Sequence, residues 1–96
     1  MVRGARHRVK LQMHNNARKF LAALEAKQTK QVGMRVFELM HEPKPHDMRH
    51  LSGYPHHFRI DVGEFRVVYL IDGDTVHVKA VGRRNDDAVY RELGRR

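Results

Sequence analysis

Two kinds of hydrophobic spacing divide the first half of the chain into elements. Val9, Leu11 and Met13 alternate with polar residues, and this period of two predicts a half-buried strand. Two later stretches carry apolar residues three and four positions apart, as on one face of a helix. These residues are Ala17, Phe20, Leu21 and Leu24 in the first stretch, and Val32, Val36, Leu39 and Met40 in the second. The pattern predicts a strand followed by a hairpin of two amphipathic helices.

Polar residues and prolines set the expected ends of these helices. Asn15 or Asn16 is a suitable cap for the first helix, because an asparagine side chain accepts hydrogen bonds from free backbone amides. Pro43 cannot continue the second helix, and it disfavours helical geometry at Glu42. The segment from His46 to Pro55 has the composition of a loop, and we expect it to lead into a sheet.

The second half of the chain predicts three strands in a meander. The runs FRIDV, FRVVYLI and TVHVKAV are rich in β-branched and aromatic residues. The first link is GE, with glycine first as a type II′ hairpin turn requires, and the second contains an Asp-Gly turn signal. We expect Gly82 to end the last strand. NDDAVYREL then predicts a short terminal helix capped by Asn85 or Asp86.

The element order is therefore β-α-α-β-β-β-α. Amphipathic helices need an apolar surface, and one face of the sheet provides it. We predict an α+β fold in which a mostly antiparallel four-stranded sheet carries the helical hairpin on one face and a short C-terminal helix follows. Because 96 residues supply one modest core, we expect a single domain over residues 1–96.

Composition and charge narrow the functional classes. Nineteen Lys and Arg against eleven Asp and Glu give a net charge of +8, which attracts nucleic acid, an anionic membrane surface or an acidic protein. The absence of cysteine excludes disulfides, thiolate nucleophiles and cysteine-based zinc sites. The eight histidines have no recognised ligand spacing, so we expect neither metal nor cofactor. No apolar run approaches the ~20 residues of a membrane span and no signal-peptide core follows the N-terminus, so we expect a cytoplasmic protein without membrane contact.

The predicted turn at Gly63 and Glu64 brings charged side chains together. If these two residues form the loop, Asp61 pairs with Arg66 across the hairpin. Arg59, Asp61 and Arg66 then share the face opposite the one that the helices cover. Asp61 and Arg66 are either an exposed ion pair worth less than ~1 kcal/mol or part of a cationic floor for a ligand.

Two more arginines follow the strand that neighbours Arg66. The side chains of Arg83 and Arg84 can converge with Arg66, and convergent guanidinium groups suit phosphate recognition. Tyr90 comes six residues after Arg84 on the terminal helix, where it is either a packing residue or one that stacks on a base or exchanges a proton.

One long segment, GYPHHFRIDVGEFRVVYLIDGDTVHVKAVGRRNDDAVY, resembles the RelE/ParE toxin superfamily of type II toxin–antitoxin systems. The shared features are an aromatic-basic-aliphatic strand, a VG-acid-aromatic-RV segment, and a strand ending in VG with a basic pair and a later tyrosine. With the upstream strand and helices, the resemblance covers nearly the whole chain. The matching residues are Gly53, Arg59, Val62, Gly63, Phe65, Arg66, Val67, Tyr69, Gly82, Arg83, Arg84 and Tyr90.

The resemblance implies a metal-independent, ribosome-dependent mRNA endoribonuclease that inhibits translation and is held in a hetero-oligomer by a cognate antitoxin. In such enzymes the 2′-hydroxyl attacks the adjacent phosphate. By position, Arg66 and Arg84 would stabilise the phosphate charge, with Arg84 also assisting the leaving group. Tyr90 would orient or stack on the substrate, and Arg59 falls at a lysine or arginine position. The alternatives on the same fold are a ParE-like DNA gyrase inhibitor and a degenerate toxin that only binds antitoxin or nucleic acid.

Asp61 departs from the pattern of the family, since some relatives carry a second basic residue there. The carboxylate removes one expected cation, and it either serves as a base or pairs with Arg66. His56 and His57 precede the same strand and titrate near neutrality, so each is a candidate base or an RNA contact. We also expect Arg83 and Lys79 to contact RNA.

Overall fold

The sheet has five strands rather than four. The computed structural model describes residues 9–91 and Leu93. The elements are β1 (Lys10–Met13), α1 (Asn15–Ala22), α2 (Ala26–Glu38), β2 (Arg49–His50), β3 (His57–Val62), β4 (Phe65–Asp72), β5 (Thr75–Arg83) and α3 (Ala88–Arg91). The strand order is β1-β5-β4-β3-β2, with β1 parallel to β5 and every other neighbour antiparallel. The predicted α+β class is confirmed.

The helical hairpin covers one face of the sheet, as predicted. Ala17 and Leu21 of α1 and Val32 and Val36 of α2 are buried against inward-facing residues of β3, β4 and β5. In this main core, the aromatic rings of Phe20 and Phe65 pack edge to face. Burial of these apolar side chains is the largest favourable contribution to folding.

Both hairpin turns have glycine first. Gly63 has φ +60° and Gly73 has φ +61°, while the residue after each has a negative φ, as in a type II′ turn. The first turn fixes the register that the sequence predicts, with Asp61 opposite Arg66. A side chain other than hydrogen is strained at such a φ, so both glycines are required by the turns.

Two expectations about strands are wrong. Arg49 and His50 lie in the segment predicted to be loop, yet they pair with β3 as a two-residue strand. Both are exposed, so no apolar alternation marks them. Gly82 does not end β5, which continues through Arg83.

The expected ends of the helices also need correction. Neither asparagine caps α1: the N-cap is His14, which makes no side-chain cap hydrogen bond. The second helix ends at Glu38, before Pro43, and Met40 lies beyond it with 37% of its surface exposed. In the described part of the chain, no helix combines the length and the apolar character needed to cross a bilayer.

The second face of the sheet, opposite the helical hairpin, is partly covered. Val89 of α3 is buried against Val68 and Ala80, with Leu51 from the loop before β3 completing a small second core. The Asp86 carboxylate accepts a hydrogen bond at 2.9 Å from the amide of Ala88, the first residue of α3, while Asp87 occupies the position directly before the helix. The charged end of this face, around Asp61, stays outside the small core.

Candidate functional site

Three guanidinium groups meet at the carboxylate of Asp61. Arg66 donates from Nε to Asp61 Oδ1 at 2.8 Å and from Nη2 to Oδ2 at 3.4 Å. Nε of Arg84 lies 3.5 Å from Oδ2, and Nη1 of Arg59 lies 3.9 Å from the same oxygen. We call Arg59, Arg66 and Arg84 the arginine cluster. Since three cations face one anion, the group retains an excess positive charge.

The sheet positions each member of the cluster. Arg59 and Asp61 are two residues apart on β3 and therefore share a face, and Arg66 is the direct cross-strand partner of Asp61. Arg84 follows β5, and its backbone amide donates to the Glu64 carbonyl at 3.0 Å. Its Nη1 also lies 3.4 Å from the Gly63 carbonyl oxygen, so the β3–β4 turn holds Arg84 at both ends.

Tyr90 joins the cluster from α3. Nη1 of Arg66 donates a hydrogen bond of 2.6 Å to the Tyr90 hydroxyl. The Tyr90 ring packs against the small second core, beside Val89 and Val68. Arg66 thus binds Asp61 on one side and Tyr90 on the other, which restricts its guanidinium to one orientation. The residues that the sequence singled out as candidate catalytic groups, Arg59, Asp61, Arg66, Arg84 and Tyr90, are all brought together.

The cluster changes the protonation of its members. The hydrogen bond from Arg66 lowers the pKa of Asp61, burial opposes that shift, and the charges of Arg84 and Arg59 add to it. The hydrogen bond to Asp61 in turn raises the pKa of Arg66. Asp61 is therefore ionised at neutral pH and is a weak proton acceptor, which argues against the base interpretation of this residue.

Arg83 diverges from its neighbour Arg84. Its Nη1 lies 3.3 Å from Glu64, and its guanidinium carbon lies 5.2 Å from the centre of the Phe65 ring. Arg83 is the last residue of β5 and pairs with Phe65, so its side chain lies on the opposite face from Arg66 and Asp61. Arg83 still lines the outer wall of the depression beside the cluster.

The remaining predicted RNA contacts lie farther from Asp61. His57 shares its face but is four residues away along β3, about 13 Å at the rise of a strand. His56 is exposed, with φ +65°. Lys79 is the extra residue of a β-bulge in β5. Burial of His14 lowers the pKa of that histidine, and the charge of Lys79 lowers it further. Within residues 9–91 and Leu93, no three His, Asp or Glu side chains meet as a metal site requires.

Two depressions flank the Arg66–Tyr90 hydrogen bond. One, of about 310 Å³, is lined by Glu64, Arg66, Arg83, Arg84 and Asn85. The other, of about 330 Å³, is lined by His50, Leu51, Ser52, Tyr54, Arg59 and Tyr90. Sequence reasoning missed the second depression, although the aromatic ring in GYP, between two turn-forming residues, was an available signal.

Comparison with known proteins relates this chain to a family of toxins. The family model described as ParE toxin of type II toxin-antitoxin system, parDE, matches residues 11–88. No curated protein sequence matches the chain at a significant level.

Solved structures of RelE toxins share the fold. The free state of an E. coli RelE mutant has a TM-score of 0.75 at 24% identity, covering 88% of this chain and 92% of that chain. The RelE-RelB complex of Pyrococcus horikoshii has a TM-score of 0.72 at 20% identity, over 81% and 97%. Isolated E. coli RelE has a TM-score of 0.69 at 26% identity, over 88% and 94%. The chain therefore belongs to the RelE/ParE family of toxins from type II toxin–antitoxin systems.

Proposed function

We propose that this toxin is an endoribonuclease that cleaves mRNA on the ribosome, with the arginine cluster as its phosphate site. The observation that carries the proposal is the convergence of Arg59, Arg66 and Arg84 on one anionic group, at 2.8 to 3.9 Å, beside the Tyr90 hydroxyl. Guanidinium groups arranged around a carboxylate are equally suited to a phosphate, because both ligands accept paired hydrogen bonds.

The reaction that fits this site is internal transesterification of RNA. The 2′-oxygen forms a bond to phosphorus while the bond from phosphorus to the 5′-oxygen breaks. The products are a 2′,3′-cyclic phosphate and a 5′-hydroxyl. The 2′-hydroxyl loses one proton and the leaving oxygen gains one, so the step consumes no water and needs no redox partner. Negative charge builds on the phosphate oxygens at the transition state.

The cluster can stabilise that charge. Arg66 is preorganised by Asp61 and Tyr90, and its side chain is only 15% exposed. Arg84 is 53% exposed, so it is the cluster member most accessible to a substrate. Preorganised donors of this kind contribute several kcal/mol to lowering a barrier. We assign charge stabilisation to both arginines, protonation of the leaving group to the neighbourhood of Arg84, and substrate orientation to Tyr90.

Asp61 is assigned a positioning role rather than that of a base. Its lowered pKa makes it a weak acceptor, and its two oxygens are occupied by Arg66 and Arg84. A phosphate that enters the site therefore competes with Asp61 for the same guanidinium groups. On this basis the carboxylate holds the arginines in place before substrate arrives and weakens substrate binding.

The partners follow from charge and from the relatives. A net charge of +8 favours binding to ribosomal and messenger RNA. RelE of Pyrococcus horikoshii was solved in complex with RelB. We propose that this chain likewise forms a hetero-oligomer with a cognate antitoxin, whose acidic segments would complement its charge.

Inhibition of DNA gyrase is the second candidate, because the family model that matches is that of ParE toxins. The two activities differ in whether they require the arginine cluster. A nuclease needs the cluster at the scissile phosphate, whereas a gyrase inhibitor that cleaves nothing does not need a transition-state site.

One set of assays separates the candidates. Purified toxin is added to a defined mRNA with ribosomes, to the same mRNA alone, and to a gyrase supercoiling reaction. We expect cleavage with ribosomes, products ending in 2′,3′-cyclic phosphate, and unchanged supercoiling. Inhibition of supercoiling with intact mRNA would establish the ParE-like activity instead. Intact mRNA and normal supercoiling together would leave a degenerate toxin that binds only its antitoxin or nucleic acid.

A further inference from the structure

We propose that the depression beside Tyr90 is a nucleobase subsite in which Tyr54 stacks on the base next to the scissile phosphate. This inference rests on the proposed function and names how that site would recognise RNA. The depression is lined by His50, Leu51, Ser52, Tyr54, Arg59 and Tyr90.

The depression is continuous with the arginine cluster. Arg59 belongs to both, because it lines the depression and its Nη1 lies 3.9 Å from Asp61. Tyr90 also belongs to both, since its hydroxyl accepts the hydrogen bond from Arg66. A nucleotide whose phosphate contacts Arg66 and Arg84 can therefore place a neighbouring base between Tyr54 and Tyr90 without leaving this face of the sheet.

The loop that carries Tyr54 is closed and preorganised. The Leu51 amide donates to the His57 carbonyl at 3.0 Å, and the Tyr54 amide donates to the Leu51 carbonyl at 3.1 Å. Gly53, with φ +84°, permits the sharp bend before Tyr54. A side chain on such a loop loses little conformational entropy when a ligand binds.

The chemistry of the lining suits a base. Tyr54 and Tyr90 supply aromatic faces, and stacking on such faces tolerates any base. Arg59 supplies a cation at the side that faces the cluster. Among residues 9–91 and Leu93, the Tyr54 hydroxyl makes no hydrogen bond, so it is available to the edge of a base. The His57 ring, 5.8 Å away and edge to face, limits the tilt of the Tyr54 ring.

The test uses a single-stranded RNA whose scissile 2′-hydroxyl is methylated, so that it binds without being cleaved. A matched RNA lacks only the base beside that linkage. We expect wild-type protein to bind the complete RNA about tenfold more tightly than the abasic RNA, within the roughly 5- to 150-fold range of one stacked base. Tyr54→Leu should lose most of this difference, and Tyr54→Phe should keep most of it.

Two further variants separate this inference from the proposed function. Phe37→Leu removes an aromatic ring that is 57% exposed on α2, on the other face of the sheet, and should behave as wild type. Arg84→Ala should weaken binding of both RNAs alike. If Arg84→Ala weakens binding of both RNAs while wild type binds abasic and complete RNA equally, the subsite is wrong and the phosphate site stands. Each RNA is presented on ribosomes, and if wild type binds neither complex, both proposals are overturned. Because the abasic comparison uses wild-type protein, the test holds even if Tyr54→Leu fails to fold.

Discussion

The guanidinium of Arg66 donates a 2.6 Å hydrogen bond to the hydroxyl of Tyr90, joining the centre of the sheet to the C-terminal helix. Arg66 is on β4 and Tyr90 on α3, 24 residues later in the chain. The contact couples the orientation of a partly buried cation to the packing of a four-residue helix. Substitutions at either end should therefore affect the site more than the fold.

Tyr90→Phe isolates this hydrogen bond, because the ring stays in the small second core. We expect the rate of mRNA cleavage to fall about five- to tenfold, the equivalent of about 1 kcal/mol for one hydrogen bond. The free energy of unfolding should change by less than about 1 kcal/mol, as measured by urea denaturation. A wild-type cleavage rate in this variant would show that the hydroxyl has no part in the reaction.

Arg83 and Arg84 form a matched pair, since each substitution to alanine removes one exposed cation. Arg84→Ala should lower cleavage at least about 100-fold, because it removes a donor to the phosphate. Arg83→Ala should lower it less than about threefold, because Arg83 contacts Glu64 and the Phe65 ring instead. In cells, we expect Arg84→Ala to abolish growth arrest while the protein stays folded. Equal losses in the two variants would mean that only total charge matters.

Asp61→Asn tests whether the carboxylate competes with substrate. We expect RNA to bind about three- to tenfold more tightly, with log K depending more steeply on log salt by about 0.7 for each added phosphate contact. Cleavage should persist. Tighter binding with complete loss of cleavage would assign Asp61 as the base.

The same substitution predicts a pH dependence of stability. The pKa of Asp61 is lower in the folded chain than its ordinary value of 3.8, because Arg66 donates to the ionised form. The carboxylate therefore stabilises the fold at pH values above about 4, and this contribution is lost as pH falls through the lowered folded pKa. Wild type should exceed Asp61→Asn by about 1 kcal/mol at pH 7, and the difference should vanish in acid. A pH-independent difference in urea denaturation would contradict the pairing.

Gly82→Ala tests the contact that holds α3 on the sheet. A Cβ at Gly82 would lie 2.9 Å from Cβ of Val89, too close for either to remain in place. We expect a loss of about 1–3 kcal/mol in the free energy of unfolding, and lower cleavage because α3 carries Tyr90. Val89→Ala keeps the Cβ but removes both methyl groups, which gives α3 room to shift. If α3 shifts, the double variant Gly82→Ala with Val89→Ala should recover part of the cleavage rate. No coupling between the two substitutions in a double-mutant cycle would overturn this account of the contact.

The sequence predicts the hairpin register well, because a two-residue turn with glycine first leaves a single pairing for Asp61 and Arg66. It predicts the short C-terminal helix for the same local reasons. It does not predict β2, because Arg49 and His50 are both exposed and show no apolar alternation. Nor does it place α3 on the charged face, since that depends on long-range packing of Val89.

At the site, both Arg83 and Arg84 were expected to converge with Arg66, but Arg83, the last residue of β5, contacts Glu64 and the Phe65 ring instead. The position of Tyr54 beside Tyr90 was missed because the two residues line one depression only through folding of a loop. Residues that share a strand are predictable from spacing, whereas residues that meet from a loop and a distant helix are not.

The two-residue link at Gly63 and Glu64 has a consequence for how this protein tolerates change. With side chains alternating along β3 and β4, adding or deleting one residue in either strand would exchange the two faces from that point onward. Arginines would then point into the apolar interior while phenylalanine and valine would point to solvent. Within β3 and β4, many individual side chains can therefore be replaced, but the number of residues cannot change.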